Sequence, residues 1–211
     1  MVHSSFNQLS RLAKAASIAL PLACLAASGQ AADLPPRSAQ FPARVEQLKA
    51  HIERVDRQTE QLRAPEFPAG KDWFNSPPLT FGKQLAGIIT VLDFWTYCCI
   101  NCMHILPDLK RLEQTFPEEL VVIGVHTPKF SGEKESRNIR QAILRYEIEH
   151  PVINDHQYEL WQKYGVRAWP TVAIIDPEGY VLGNLSGEGV WDTLFPFLTE
   201  QIPDYREKGL L

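Results

Sequence analysis

The sequence predicts an α/β domain in which a central mixed sheet, mostly parallel at its centre, is flanked by helices. Two observations lead to this prediction: apolar, β-branched runs alternate with amphipathic stretches, and two strands joined by a short turn come near the end. The run 88–94 is continuously apolar apart from Thr90 and Asp93, as in a central strand that is covered on both faces. A Pro/Gly turn over 176–179 predicts an antiparallel hairpin, so the sheet is expected to be mixed.

The predicted domain covers residues 71–203. It begins with an edge strand and a turn over 73–79, followed by the central strand and a helix that starts at Cys99 and is kinked at Pro107. The later elements are a strand over 120–125, an amphipathic helix over 133–149, a short strand over 152–153, a short helix over 158–164, a hairpin over 171–185 and a last helix over 190–201. Residues 204–211 are expected to form a C-terminal tail.

Residues 1–31 have the layout of a secretory signal peptide. They contain no acidic residue, carry two basic ones, and continue into a small apolar run over 15–27. Gly29 and Ala31 then supply small residues at the positions that a signal peptidase reads. We expect export, with the bacterial periplasm as the compartment and no stable membrane span after cleavage; an uncleaved N-terminal anchor is the alternative.

Residues 32–70 are predicted to form a linker and an amphipathic helix ahead of the domain. Prolines dominate the first part, whereas apolar residues recur at helical spacing over 44–63. These apolar residues are Val45, Leu48, Ile52, Val55 and Leu62. The helix either packs on its own domain, stands off as a spacer or forms a dimer seam, and the possible dimer through helix 44–63 is the most specific of these predictions.

The charge balance argues against nucleic acid as a partner. The formal net charge is −4, loss of the leader would remove only bases, and no basic patch is evident. Beyond the leader, three cysteines crowd into positions 98–102, where they cannot link distant segments. This clustering favours a reactive role for the cysteines over structural disulfides.

Cys99 stands where a buried strand turns into a helix, and this position favours a reactive thiolate. Unpaired backbone N–H groups and the positive end of the helix dipole stabilise a negative sulfur. Cys102 follows one helical turn later, close enough to form a disulfide with Cys99. The spacing predicts dithiol–disulfide exchange with disulfide- or dithiol-bearing proteins and with a redox partner that recycles the dithiol, without a bound cofactor or metal.

The motifs together resemble the thioredoxin fold. Asp93-Phe94-Trp95, Cys99-x-x-Cys102 and Pro107 stand at thioredoxin spacing, and Trp169-Pro170-Thr171 is similar to the cis-proline segment of that family. The resemblance covers about residues 80–202. The run Trp95–His104 is most similar to the thioredoxin-like module found in NHL-repeat proteins and in bacterial periplasmic thiol–disulfide reductases.

The resemblance implies a role for each motif residue. Cys99 is then the attacking sulfur, Cys102 the resolving one and Pro170 the cis residue beside them. Asp93 is the buried acid that accepts the proton of Cys102, and burial is expected to raise the pKa of its carboxyl. Residues expected to line the substrate site are Trp95, Cys98, Ile100, Asn101 and Trp169.

Two departures from thioredoxin matter. The residues between the cysteines are Ile100 and Asn101 instead of Gly-Pro, so the redox potential does not carry over. Cys98 stands where thioredoxins usually have Trp. It either lines the pocket as a small residue, acts as an alternative resolving thiol or forms a mixed disulfide. His104 is expected at the surface, and His126, at the end of a central strand, is a candidate for a role in the site.

Two other functions fit parts of the pattern. Cys98 and Cys102 also form a C-x-x-x-C pair that suits Cu(I), as in copper chaperones that share this fold and use a distant His. Candidate third ligands are His126, His150 and His156. The second alternative is a thiol peroxidase, for which Thr96 precedes Cys99 by three positions but no arginine partner is evident.

Overall fold

A computed structural model describes residues 41–57 and 62–211, so the leader predicted over 1–31 lies outside the described residues. The strands are β1 Trp73–Phe74, β2 Ile89–Trp95, β3 Leu120–His126, β4 Val152–Asn154, β5 Thr171–Ile175 and β6 Val181–Ser186. The helices are α1 Phe41–Arg57, α2 Ile100–Thr115, α3 Ser136–Arg145, α4 Glu159–Lys163 and α5 Val190–Glu207, with a 3₁₀ turn at Ser131–Lys134.

The six strands form one sheet in the order β1-β4-β3-β2-β5-β6. Strands β2, β3 and β4 run parallel, whereas β1, β5 and β6 pair antiparallel with their neighbours. The predicted mixed sheet, its edge strand and its closing hairpin are therefore confirmed. Within the described residues, we find no helix that combines the length and the apolar character needed to cross a membrane.

The central strand β2 explains how the two faces of the sheet are filled. All seven of its residues are buried, and successive side chains point to opposite faces. Ile89 and Val91 pack in the apolar cluster that α2 and α5 cover, whereas Leu92 and Phe94 pack in the cluster on the opposite face. Alternation therefore places Asp93 on the α2 side of the sheet.

The N-terminal helix α1 packs on α5 and β6. Val45 and Leu48 are buried, and a Cβ on Gly183 of β6 would lie 3.1 Å from Leu48 Cδ1. The Arg44 guanidinium donates to the backbone carbonyls of Ser186 (3.0 Å) and Glu188 (2.8 Å). The described part of the predicted seam is thus buried on its own domain, and a dimer through the rest of it stays a prediction.

Two helices differ in extent from their sequence patterns. The amphipathic stretch 133–149 divides into the 3₁₀ turn and α3, and α3 ends just before Glu147, whose φ of +53° interrupts a right-handed helix. The last helix continues to Glu207 although Pro196 and Pro203 lie within it. Tyr205 and Leu210 pack on the core, so apolar burial extends this helix into the predicted tail.

Candidate active site

The two cysteines of the Cys-x-x-Cys motif lie at the start of α2. Cys99 is the N-cap, with extended backbone angles (φ −95°, ψ 106°), and the helix begins one residue later than predicted. Its Sγ accepts a hydrogen bond from the backbone N–H of Cys102 at 3.3 Å. A thiolate on Cys99 would receive the same N–H together with the helix dipole, which is the arrangement that activates a nucleophilic sulfur.

Cys102 is in a different environment although it lies one turn away. Its side chain is fully buried, and both cysteines are free thiols. Burial raises the pKa of the Cys102 thiol far above its ordinary range, and a hydrogen bond with Cys99 and the charge of Asp93 act in the same direction. Burial therefore favours the protonated form of Cys102.

Asp93, the acid predicted to accept the proton of Cys102, lies on the α2 side of the sheet. It is fully buried on β2, and neither carboxyl oxygen has a hydrogen-bond partner among the described residues. Burial raises the pKa of this carboxyl to about 8, in the direction that the sequence predicts. The charge of Asp93 contributes to the raised pKa of the Cys102 thiol, and Asp93 lies on the face of the sheet that α2 covers.

The Trp169–Pro170 peptide bond is cis, as predicted. The Trp169 indole donates from Nε1 to the Thr127 carbonyl at 3.1 Å, and its ring lies 4.3 Å from that of Trp161 between ring centroids. Trp169 packs against the same apolar cluster as Cys99 and Cys102. The β5 end of the sheet therefore forms one wall beside the two sulfurs.

The structure separates the predicted substrate-lining residues into two groups. Ile100 is 66% exposed and Asn101 and Cys98 are also exposed, so all three are accessible beside Cys99. Trp95, in contrast, is fully buried, and its expected contact with substrate is wrong. The odd-numbered residues of β2 point beneath α2, which places the Trp95 indole in the core instead of the pocket.

The two histidines singled out in the sequence, His104 and His126, lie in different environments. His104 is half exposed and its Nδ1 lies 3.2 Å from Glu188 Oε1, as expected of a surface residue. His126 is fully buried between the rings of Trp95 (5.0 Å) and Tyr97 (5.4 Å). Burial lowers the pKa of His126 to about 4, so the ring is neutral and serves as a wall beneath the cysteine loop.

The copper alternative requires a third ligand beside two sulfurs. Among the described residues, no three His, Cys, Asp or Glu side chains come together in a way that could hold a metal ion. His126 is enclosed by aromatic rings, and His150 pairs through Nδ1 with Glu113 Oε2 at 3.5 Å. Cys98 is exposed whereas Cys102 is buried, so this pair does not present two sulfurs to one site.

Sequence reasoning missed Glu133. This acid lies in the 3₁₀ turn after β3 and is only 3% exposed. Its Oε2 accepts from the backbone N–H groups of Lys129 (2.6 Å) and Phe130 (2.9 Å). Glu133 stands three residues after Phe130, the N-cap of this turn, which is the spacing of a capping box, and this spacing could have identified it.

Comparison with known proteins agrees with this geometry. The thioredoxin-like family matches residues 87–181. The chain is 46% identical over 159 residues to human NHL repeat-containing protein 2, which covers 74% of this chain and 22% of that protein. It is 45% identical over 148 residues to the chloroplastic protein SUPPRESSOR OF QUENCHING 1 of Arabidopsis thaliana, covering 70% of this chain and 14% of that one.

Among solved structures, the exposed lipoprotein thioredoxin of Streptococcus pneumoniae is similar in fold. It aligns with a TM-score of 0.53 and 26% identity, over 62% of this chain and 99% of that one. The chain spans less than a quarter of the length of the two relatives named above. The family match, the sheet order and the helix-capping cysteine agree that residues 87–181 lie in a thioredoxin-like domain.

Proposed function

We propose that this chain is a thiol–disulfide oxidoreductase that uses Cys99 and Cys102 as its redox-active dithiol. The observation that carries the proposal is the position of Cys99 as the N-cap of α2, with the buried Cys102 one turn behind it. One sulfur is accessible and accepts a backbone N–H at the start of the helix, whereas the other is buried one turn behind it. This asymmetry is what ordered attack and release require.

The reaction consists of two exchange steps. The Cys99 thiolate attacks one sulfur of a substrate disulfide, forming a mixed disulfide and releasing the other substrate sulfur as a thiolate. The Cys102 thiolate then attacks Cys99 Sγ, which forms the Cys99–Cys102 disulfide and releases the second substrate sulfur. Two electrons pass from the dithiol to the substrate, and an external dithiol must return them.

Asp93 manages the proton of the second step. The Cys102 thiol must lose its proton before it attacks, and its buried position leaves little access to water. Because the pKa of Asp93 is about 8, a fraction of the carboxyl is ionised near neutral pH and can accept that proton. Transfer of this proton from Asp93 to solvent then returns the carboxyl to its ionised form.

The substrate and the compartment belong to the same proposal. The exposed Ile100 next to Cys99 and the wall formed by Trp169 favour a disulfide carried by a protein over a small hydrophilic disulfide. An exported, periplasmic location agrees with the leader-like composition of residues 1–31. The recycling partner is a second dithiol protein of that compartment.

The redox potential of the Cys99/Cys102 couple tests the proposed function. The full chain is equilibrated with defined ratios of reduced and oxidised dithiothreitol or glutathione, and the free thiols are counted after alkylation. We expect a reversible two-electron transition that the Cys99→Ser variant lacks. A potential near about −270 mV indicates a reductant and one near about −120 mV an oxidant. A chain with no reversible couple would contradict the proposal.

A further inference from the structure

A cavity of about 280 Å³ opens beside the cysteine site, between α2 and the segment that joins α3 to β4. Its lining on α2 includes Met103, Leu106 and Glu113, and its lining on the other wall includes Tyr146 and His150. The exchange reaction proposed above uses none of these residues. Pockets that hold whole small molecules begin at about 300 Å³, so this cavity has the size for a single large side chain.

The α2 wall of the cavity continues the helix face that begins at Cys99. Met103 follows Cys99 by four positions and Leu106 by seven, and residues at this spacing share one face of a helix. Both also pack against the same apolar cluster as Cys99 and Trp169. Since α2 rises about 1.5 Å per residue, the lining from Met103 to Glu113 lies about 6–21 Å along the helix from Cys99. A polypeptide held at Cys99 therefore reaches the cavity within a few residues.

The opposite wall is fixed by the side-chain amide of Asn75. Its Nδ2 donates to the backbone carbonyls of Ile148 at 2.8 Å and of His150 at 3.0 Å. Ile148 and His150 are buried, whereas Glu147 and Glu149, on either side of Ile148, are exposed at the opening. The cavity is thus a fixed feature of the fold, with apolar sides and charged groups around its opening.

The charged groups that line the cavity are mainly acidic. Three carboxylates, from Glu113, Glu147 and Glu149, are set against one ammonium group, that of Lys110. Lys110 Nζ donates to Glu149 Oε1 at 2.8 Å, so these two charges offset each other. The remaining carboxylates give the cavity a negative charge, which complements a cationic occupant.

Glu113 is the most buried of the three carboxylates. Its side chain is 26% exposed, against 76% for Glu149. Its Oε1 accepts from the Val122 N–H at 3.3 Å, and its Oε2 lies 3.5 Å from His150 Nδ1. An ionised carboxylate accepts at about four positions, so capacity remains for a ligand, and a fixed acceptor binds a cationic donor with little ordering cost.

We propose that this cavity binds an arginine or lysine side chain of the protein substrate. The methylene stem packs on Met103, Leu106 and the Tyr146 ring, and the cationic head pairs with Glu113. The inference rests on the proposed function and adds a substrate class to it. At about 3.3 Å per extended residue, the basic residue stands about two to six positions from the cysteine that reacts with Cys99.

The first test measures binding without exchange. The chain contains two methionines, Met1 and Met103, so labelling the methionine methyl groups with carbon-13 places one NMR signal in the cavity. The reduced full chain is titrated with acetyl-Gly-Arg-Gly-amide, and separately with the same peptide in which citrulline, an uncharged isostere, replaces arginine. We expect the Met103 signal to shift saturably with the arginine peptide, and the citrulline peptide to bind at least about fivefold more weakly.

Three variants locate the charge that matters. Glu113→Gln keeps an oxygen for the Val122 N–H and should weaken binding of the arginine peptide at least about fivefold, leaving the citrulline peptide unaffected. Glu147→Lys reverses an exposed charge at the opening without altering a buried group, and it should weaken the arginine peptide as well. Glu118→Gln, at an exposed acid outside the cavity, is the matched control and should change nothing. No saturable shift by about 10 mM peptide, or equal binding of the two peptides, would overturn the inference.

The second test measures the use of the cavity in exchange. Peptides with one cysteine, activated as a mixed disulfide with thionitrobenzoate, carry arginine or citrulline about four positions away. Release of thionitrobenzoate by the reduced full chain should show a KM at least about threefold lower for the arginine peptide, an unchanged kcat, and no difference in Glu113→Gln. Equal KM values in the wild-type chain would overturn the inference. Because the titration needs no exchange activity, failure of the proposed function would appear separately, as the missing redox couple.

Discussion

Gly124 of β3 lies directly against the indole of Trp95 in the neighbouring strand. A Cβ on Gly124 would stand 2.9 Å from Trp95 Nε1 and 3.1 Å from Val152 Cγ2. The fully buried Trp95 therefore occupies space that only a glycine leaves open at position 124. This contact fixes the floor beneath the cysteine loop, since the Trp95 ring also supports His126.

Gly124→Ala is expected to lower the free energy of unfolding by about 1–3 kcal/mol, because overpacking moves buried rings from their positions. Urea denaturation followed by far-UV circular dichroism measures the change. The matched control is Gly82→Ala, where a Cβ meets no atom within 4 Å and the predicted change is at most about 0.5 kcal/mol. Equal stabilities of the two variants would mean that Trp95 packs elsewhere.

Asp93 is expected to make stability depend on pH. Its pKa is about 8 in the folded chain against an ordinary 3.8, so the folded state holds more protons between these values. The stability that the neutral carboxyl contributes is complete below about pH 4 and is lost as pH rises to about 8, on the order of a few kcal/mol.

The Asp93→Asn variant isolates this effect. Urea denaturation of both chains at pH 5 and pH 8 gives four free energies of unfolding. The wild-type chain is expected to lose stability between the two values relative to Asp93→Asn, which has no proton to release there. The difference in free energy of unfolding between the two chains at pH 5 measures the effect of the amide itself, and it is subtracted from the difference at pH 8. Parallel losses in the two chains would show that Asp93 does not titrate in this range.

Substitution of the resolving cysteine is expected to trap the first exchange step. With Cys102→Ser, a disulfide-bearing protein such as insulin should remain joined to Cys99, because the attack by Cys102 is removed. Non-reducing electrophoresis followed by mass spectrometry detects the adduct and its site. Cys99→Ser should give no adduct at this loop. An adduct on Cys98 would show that Cys98, and not Cys99, is the nucleophile.

The packing of α1 predicts a stability effect far from the cysteines. Leu48 is buried between α5 and β6, so Leu48→Ala should lower the free energy of unfolding by about 2–4 kcal/mol. The exposed neighbour Gln47 supplies the control, since Gln47→Ala removes no buried surface. A Leu48→Ala chain as stable as the control would show that α1 is undocked in solution and available for a dimer.

Sequence patterns predicted the sheet and the redox pair well because both depend on local chemistry. The apolar run of β2 and the Cys-x-x-Cys at a strand–helix junction each carry their signal within a few residues. Trp95 was misplaced because the resemblance implied a pocket wall, whereas strand alternation determines the direction of its side chain. The docking of α1 depends on contacts between segments distant in the chain, which periodicity does not encode.

The hydrogen bonds of Arg44 also affect how the chain behaves when it is concentrated. Strand β6 is the last strand of the sheet, and such an edge offers unpaired backbone groups to other chains. Arg44 occupies the carbonyls of Ser186 and Glu188, and residues 62–64 pair beside Tyr180 at the other end of the strand. The segment ahead of residue 71 thus covers this edge of the sheet, which should limit edge-to-edge aggregation. A truncated chain that begins at residue 71 should therefore precipitate at concentrations where the longer chain stays in solution.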